Sequence, residues 1–422
     1  MNIKKQIVSG VKWTTIGTIV IAVVALLKLS VLARFLDKAD FGLMALVTFV
    51  MGFMNLFSDM GLTSAILHKQ NISKKEYASL YWFNIGFSII LYAILYAVTP
   101  FVTSFYNEPE LNILIPLLGL NLLISAIGRI FKTIESKHLI FKEITIFEII
   151  AAIVSLCFAI YLAMNDYGVY TLVYSALLQY SLQNLMYLVY GLRKYGLLFR
   201  FKFIETKPFL KIGIYQVGGQ VVNYFNRDLD ILIIGKFFSP EILGGYSLAK
   251  QLVFRPAQIL NPIITKIASP GLSLLQNNIE LLRSNYLRLI GIISKVNIVV
   301  YVALIIFTPF AVSIFYGNEF DEIYSVVRVL SIYMIFRAIG NPIGSLIIAT
   351  GKTKLEFYWN IAVLLIIPIF VFVAAQFDIT MVAWSLSLAS LLLFYPSWKL
   401  LVYKIIGGTF KEYVLAIITP KL

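Results

Sequence analysis

Twelve times along this chain an apolar run is long enough to cross the hydrocarbon core of a bilayer, roughly 30 Å that takes about 20 residues of helix. The runs fall at 11–35, 41–67, 78–105, 111–131, 144–164 and 169–192, then at 209–237, 242–267, 289–315, 324–350, 357–375 and 379–403. Inside hydrocarbon every backbone donor and acceptor must be satisfied within the segment, so each run is expected to be a helix. Composition agrees, with 60% of the 422 residues hydrophobic and 13% charged, far from an ordinary water-soluble domain. The expected fold class is an all-α polytopic membrane protein with twelve transmembrane helices. The N-terminal MNIKKQIVSGVKW has the charged start of a signal peptide, but the apolar run after it is too long, so it reads as an uncleaved first helix.

Lys and Arg in short loops stay on the cytoplasmic side of a membrane, and here they gather on one side. That side holds Lys4, Lys5, Lys12, Lys69, Lys74, Lys75, Lys137, Lys142, the run from Arg193 to Lys211, Arg283, Arg288, Lys352, Lys354, Lys399, Lys404 and Lys411. The other side holds only Arg34, Lys38 and Lys236 among Glu108, Glu110, Asp166, Glu319, Asp321, Glu322 and Asp378. Both termini are therefore expected in the cytoplasm. The same bias accounts for much of the net charge of +14, which points to membrane lipids rather than nucleic acid.

Several chemistries are excluded by what the chain lacks. Cys157 stands alone, and His68 and His138 are too few and too scattered for a metal cluster. ATGKTK at 349–354 resembles the end of a phosphate-binding loop, but Leu346 stands where the first glycine belongs, so the backbone cradle is missing. The glycosylation triplet at Asn71 falls in a cytoplasmic loop and reads as chance. No outer loop is long enough for a catalytic domain, so no enzyme and no cofactor are expected.

The chain repeats itself. TPFVTSFYNEPEL at 99–111 returns as TPFAVSIFYGNEF at 308–320, ARFLDKADFGLMAL at 33–46 as GKFFSPEILGGYSL at 235–248, and SAIGRIF at 125–131 as RAIGNPI at 337–343. The offsets of 209, 202 and 212 keep the order. Six helices are an even number, so the copies enter the membrane in the same sense and form two parallel six-helix bundles. The expected domains are 1–192, a basic cytoplasmic linker at 193–208 near anionic headgroups, 209–405, and a short cytoplasmic tail at 406–422. GLSLLQNNIELLRSNYL at 271–287 has its apolar residues at spacings of three and four and is expected to lie flat on the cytoplasmic surface.

Polar residues inside the runs carry the functional argument, because an ionised side chain at the bilayer centre costs roughly 2.5–3.5 kcal/mol even on the lenient scale. Gln216, Gln220, Asn223, Arg227 and Asp230 follow spacings of four, three, four and three, one stripe of a helix. The 202 offset sets Lys28 at the position equivalent to Asp230, and the two are expected to approach one another in a central cleft. Arg129, Lys250, Arg255 and Arg337 join the set, against Asp59, Asp228 and Asp230. Any one of these fits a side chain that snorkels or staples helices. Together the cations outnumber the anions, and a wet cleft so lined would attract a phosphate or pyrophosphate, which Arg matches best.

LARFLDKADFGLMALV, FSDMGLTSAILHK, YWFNIGF, TPFVTSFYNEPEL, DLDILIIGKFFSPEILGGYSLAKQLVFRPAQIL and IIATGKTKLEFYWN resemble the Wzx-type polysaccharide exporters and lipid-linked oligosaccharide flippases. These belong to the multidrug/oligosaccharidyl-lipid/polysaccharide superfamily, and the likeness is nearest to the colanic-acid and teichuronic-acid exporters. The resemblance implies a V-shaped pair of bundles that opens to each side in turn. Its implied cargo is an undecaprenyl-pyrophosphate-linked oligosaccharide moved from inner to outer leaflet. On that footing Arg227, Arg255 and Arg337 hold the pyrophosphate, and Lys28, Lys250 and Arg129 extend the cationic path. Gln216, Gln220 and Asn223 face sugar hydroxyls, and Asp59 and Asp230 couple transport to a proton or sodium ion. Implied partners are membrane lipids, the polysaccharide polymerase and glycosyltransferases. Many relatives continue with two more helices, whereas the apolar run at 413–419 here is too short to span. The alternative reading is a multidrug or metabolite cation antiporter on the same architecture, in which buried carboxylates should dominate.

Overall fold

The computed structural model describes residues 3–69 and 71–418, apart from the side chains of 3–7, 212–216, 259–267 and 269–270. The helices run α1 Ile3–Leu32, α2 Lys38–Ser58, α3 Leu62–His68, α4 Lys74–Tyr106, α5 Leu111–Lys137, α6 Phe141–Ala163, α7 Val169–Tyr195 and α8 Phe203–Phe237. They continue as α9 Pro240–Ser273, α10 Ile279–Ile306, α11 Thr308–Tyr316, α12 Tyr324–Thr350, α13 Thr353–Ala374, α14 Ile379–Ser397, α15 Tyr403–Ile406 and α16 Phe410–Ile418. A short 3-10 helix at Asn318–Ile323 leads into α12, and a π-helical turn at Trp398–Val402 joins α14 to α15. Among the described residues twelve helices have nineteen residues or more. Among the described residues nine helical segments are long and apolar enough to cross a membrane. The chain is an all-α membrane protein.

Local sequence explains where the helices start and stop. Ser73 and Glu76 close a capping box on α4, Glu76 N donating to Ser73 Oγ at 3.2 Å and Ser73 N to Glu76 Oε2 at 2.8 Å. Gly351 ends α12 with a φ of 69°, a left-handed cap before α13. The ATGKTK sequence is therefore a turn between two spanning helices. Apolar side chains such as Ile89, Ile90 and Ile94 on α4, and Leu365, Ile369 and Phe372 on α13, are exposed, as a surface meeting lipid tails requires.

The chain divides into two compact units, Met1–Tyr224 and Phe225–Leu422, and the division falls inside α8. The basic stretch before it is helical only in part: Arg193 and Lys194 lie in the last turn of α7, and 196–202 are non-helical. Within the first unit α5 and α7 meet closely. A Cβ on Gly191 would stand 2.2 Å from the Phe131 ring, and one on Gly128 would stand 2.6 Å from Asn184 Oδ1.

The segment 271–287 differs from the surface helix expected of it. Leu272 closes α9, a turn follows, and Asn278 caps α10 by accepting from Leu281 N at 3.1 Å. Leu272, Leu282 and Tyr286 are buried in one cluster with Trp398, Leu401 and, from α16, Tyr413 and Ile417. The amphipathic face is covered by protein because the short apolar run near the end of the chain folds into α16 and packs on it. Periodicity identified the face; only packing could say what covers it.

Candidate functional site

In the second unit α8, α9 and α12 bring charges together. Lys250 of α9 is only 10% exposed, and four acceptors lie around an ammonium with three protons. It donates to Asp230 Oδ1 at 2.7 Å and Oδ2 at 2.9 Å, to the Arg227 carbonyl at 2.9 Å, and faces Asp228 Oδ1 at 3.3 Å. Tyr246, one helical turn before Lys250, donates its hydroxyl to Asp230 Oδ2 at 2.6 Å. Asp230 is thus a buried carboxylate with a cation and a hydroxyl on it, the condition under which a buried charge is tolerated.

Arg227 has a different setting. Its Nε and Nη2 both reach Asp228 Oδ2 at 2.7 Å, yet its side chain is 56% exposed. Gln220 and Asn223, on the same stripe of α8, are also exposed. The expected stripe therefore splits: Gln220, Asn223 and Arg227 stay open, and Asp230 turns inward. The side chain of Gln216 lies outside the described residues.

Arg337 of α12 donates to the Tyr333 hydroxyl and lies 5.4 Å from the centre of the Phe254 ring, which Lys250 also faces at 5.6 Å. An aromatic face between two cations lets both approach without a second carboxylate. Arg255 of α9 donates from Nη1 to Gln258 Oε1 at 3.3 Å, and its buried Nε has no hydrogen-bond partner among the described residues. A small cavity of about 20 Å³, room for about one water, is lined by Arg227, Asp230, Tyr246, Phe254 and Tyr333 among others. Lys250, Arg227 and Arg337 against Asp228 and Asp230 leave this cluster net positive.

The candidates of the first unit are engaged with the frame of the protein. Residues 59–61 interrupt the second apolar run between α2 and α3, which exposes carbonyls at the end of one helix and amides at the start of the next. Arg129 of α5 donates from Nη1 to the Ser58 carbonyl, from Nη2 to Ser58 Oγ at 2.9 Å, and from Nη1 to Asn84 Oδ1 at 3.3 Å. Asp59 accepts from the Thr63 amide at 3.3 Å and the Thr63 hydroxyl at 2.7 Å. The pair closes a helix break, with charge signs that suit each helix end. Lys28 of α1 donates to Ser155 Oγ at 2.9 Å, and Ser155 donates onward to the Ser175 carbonyl at 2.6 Å.

Lys28 and Asp230 therefore each have partners within their own unit. They hold equivalent positions in the repeat, but Lys250 and Tyr246 around Asp230 come from another helix. Tyr246 and Tyr333 are functional candidates that sequence reasoning missed. The available signal was spacing, since Tyr246 stands four residues before Lys250 and Tyr333 four before Arg337.

Residues 31–325 match the family of polysaccharide biosynthesis proteins. The chain belongs to this family. The lipopolysaccharide biosynthesis protein WzxC of Escherichia coli (strain K12) is 26% identical across all of this chain and 86% of its own length. The teichuronic acid biosynthesis protein TuaB of Bacillus subtilis (strain 168) is 29% identical across all of this chain and 87% of its own. Among solved structures, the lipid II flippase MurJ in an inward closed conformation superposes with a TM-score of 0.73 over 97% of this chain and 90% of its own, at 16% identity. An inward-facing MATE family multidrug transporter of the MOP superfamily gives 0.69 over 92% and 96%, also at 16% identity. The chain shares the fold of these two solved proteins, as the sequence motifs implied.

Proposed function

We propose that this member of the family is a flippase that carries an undecaprenyl-pyrophosphate-linked oligosaccharide from the inner to the outer leaflet of the bacterial cytoplasmic membrane. It would work by alternating access with both termini in the cytoplasm, and would supply a surface polysaccharide pathway. Glycosyltransferases would make its cargo and a polymerase would consume it. The observation that carries the reading is the open stripe of α8, where Arg227 is exposed beside Gln220 and Asn223, one turn from the buried Asp230–Lys250 pair. An exposed guanidinium fits a pyrophosphate, and neighbouring amides fit sugar hydroxyls. The family, and a fold shared with a lipid II flippase, support the same reading.

In this mechanism Arg227 meets the pyrophosphate first, and Arg255 and Arg337 supply further positive charge from α9 and α12. Lys28 and Arg129 are held within the first unit by local hydrogen bonds, Lys28 to Ser155 and Arg129 to Ser58. Asp230 is the coupling group: protonating it, or replacing Lys250 with a sodium ion, would release Lys250 toward an anionic cargo. The coupling ion moves the equilibrium only as far as it favours one state over the other. Asp59 is the weaker coupling candidate because Thr63 already holds it at the helix break. A cation antiporter would need a carboxylate open to its substrate, whereas Asp228 and Asp230 both carry cations.

The test is translocation of a lipid-linked oligosaccharide in vesicles reconstituted with the purified chain. Arg227→Ala should lower the rate by about tenfold or more, the worth of one charged hydrogen bond, with an unchanged melting temperature. Arg337→Lys, which keeps the charge but loses the planar fork, should fall between wild type and Arg337→Ala. Wild-type rates in both Ala variants would sink the cationic-site proposal.

A further inference from the structure

Between the last turn of α7 and the first of α8 the sequence at 199–203 reads Phe-Arg-Phe-Lys-Phe. Gly196 ends α7 with a φ of 69°, and the residues after it cross the start of α4 as a non-helical strap. The strap is tied down. Trp82 Nε1 donates to the Leu198 carbonyl at 3.0 Å, and its ring lies 4.6 Å from that of Phe199. Ser79 Oγ accepts from the Lys202 amide at 3.1 Å and donates to Glu205 Oε2 at 2.6 Å, while Arg200 reaches Glu205 Oε1 at 2.9 Å. The backbone is fixed, so the outward side chains are presented in one arrangement.

What they present is unusual for a surface facing water. Phe199 is 92% exposed and Ile204 70%, with Phe201 and Phe203 half exposed beside them. Lys202, Lys207 and Lys211 are exposed and form no ion pair among the described residues. Phe203, Lys207 and Lys211 stand at spacings of four on α8, so ring and cations share one exposed face. The strap crosses the beginning of α4, one of the helices apolar enough to span, so it lies at a membrane face. Aromatic rings settle at the boundary of headgroup and acyl chain, and cations next to them attract anionic lipid.

We propose that residues 193–211 form a binding surface for anionic phospholipid. Phe199, Phe201, Phe203 and Ile204 sit at the acyl boundary, and Lys202, Lys207 and Lys211 sit on the lipid phosphates. The surface belongs to the first unit alone and does not depend on what cargo the protein carries. Its role is to hold the strap at the membrane face, which makes the chain's stability depend on the charge of its lipids.

The test uses the full chain in detergent micelles doped with phosphatidylglycerol or phosphatidylcholine, reading retained lipid by mass spectrometry and melting temperature in parallel. Wild type should prefer phosphatidylglycerol and melt higher with it. The triple variant Lys202→Gln/Lys207→Gln/Lys211→Gln should bind phosphatidylglycerol about fivefold or more weakly. The control triple Lys352→Gln/Lys354→Gln/Lys411→Gln should stay within about twofold of wild type, since those charges lie outside the strap. Phe199→Ser should lower retention of both lipids. If the strap triple does not fold, Lys202→Gln and Lys207→Gln singly carry the test, each expected to weaken phosphatidylglycerol binding measurably while phosphatidylcholine is unaffected. The proposal falls if the control triple loses as much as the strap triple, if wild type shows no preference, or if inorganic phosphate displaces phosphatidylglycerol.

Discussion

In the first unit Arg129 gives its guanidinium to the Ser58 carbonyl at the end of a helix, and Lys28 gives its ammonium to Ser155. In the second, Lys250 sits between two carboxylates while Arg227, one turn away from Asp230, leaves half its surface open. The protein thus holds the cations of its apolar runs in two ways. Arg129, bound to a backbone carbonyl, cannot change partner without opening a helix end. Cations bound to carboxylates can, because protonation or a competing ion removes the attraction. The difference assigns stability to the first set and responsiveness to the second.

The largest break in that comparison should come from Lys250→Ala. Removing it leaves Asp230 buried with Tyr246 alone, which typically costs about 3–5 kcal/mol and should appear as a large fall in melting temperature. The double variant Lys250→Met/Asp230→Leu should recover most of that stability yet lose ion-dependent transport, separating fold from coupling. Next, Arg129→Ala leaves the end of α2 uncapped and should cost about 2–3 kcal/mol by thermal melting, with transport reduced only in proportion to folded protein. Lys28→Met removes one hydrogen bond and should cost about 1 kcal/mol by the same measurement. The smallest stability change, within about 0.5 kcal/mol, is expected for Arg227→Ala, whose loss should show in translocation instead. A melting temperature for Arg227→Ala that falls as far as that of Arg129→Ala would erase the distinction between the units.

The twin TPF phrase sharpens what local sequence can and cannot decide. Thr99 donates back to the Leu95 carbonyl at 2.8 Å, and Thr308 repeats this with the Leu304 carbonyl at 2.6 Å. Both copies thus carry the same side-chain contact before the same proline. Yet α4 continues through Pro100 to Tyr106, whereas Phe307 interrupts the second copy and Pro309 stands in the first turn of a new helix. A proline weakens a helix at a known place, but the surrounding packing selects a continuous or a broken outcome.

Hydropathy and charge made the membrane class, the helical fold and the doubled architecture legible, because the bilayer restricts spanning segments to a few solutions. The motif set made the family legible. Spacing also put Gln220, Asn223 and Arg227 on one open face, a local property of a single helix. It could not place Asp230, which sits on the same wheel yet turns to Lys250 and Tyr246 of another helix. Nor could it show that Asp59 and Arg129 close a break between α2 and α3, since 41–67 reads as one apolar run.

The sequence by itself determined that this chain crosses a membrane as paired sets of helices and carries more cations than anions within its apolar runs. Those facts follow from composition and period, which belong to each segment alone. Tertiary structure decided which cations are bound to backbone, which to carboxylates, and which remain open. A side chain's partner is a contact between segments distant in sequence, and no periodicity within either segment encodes it.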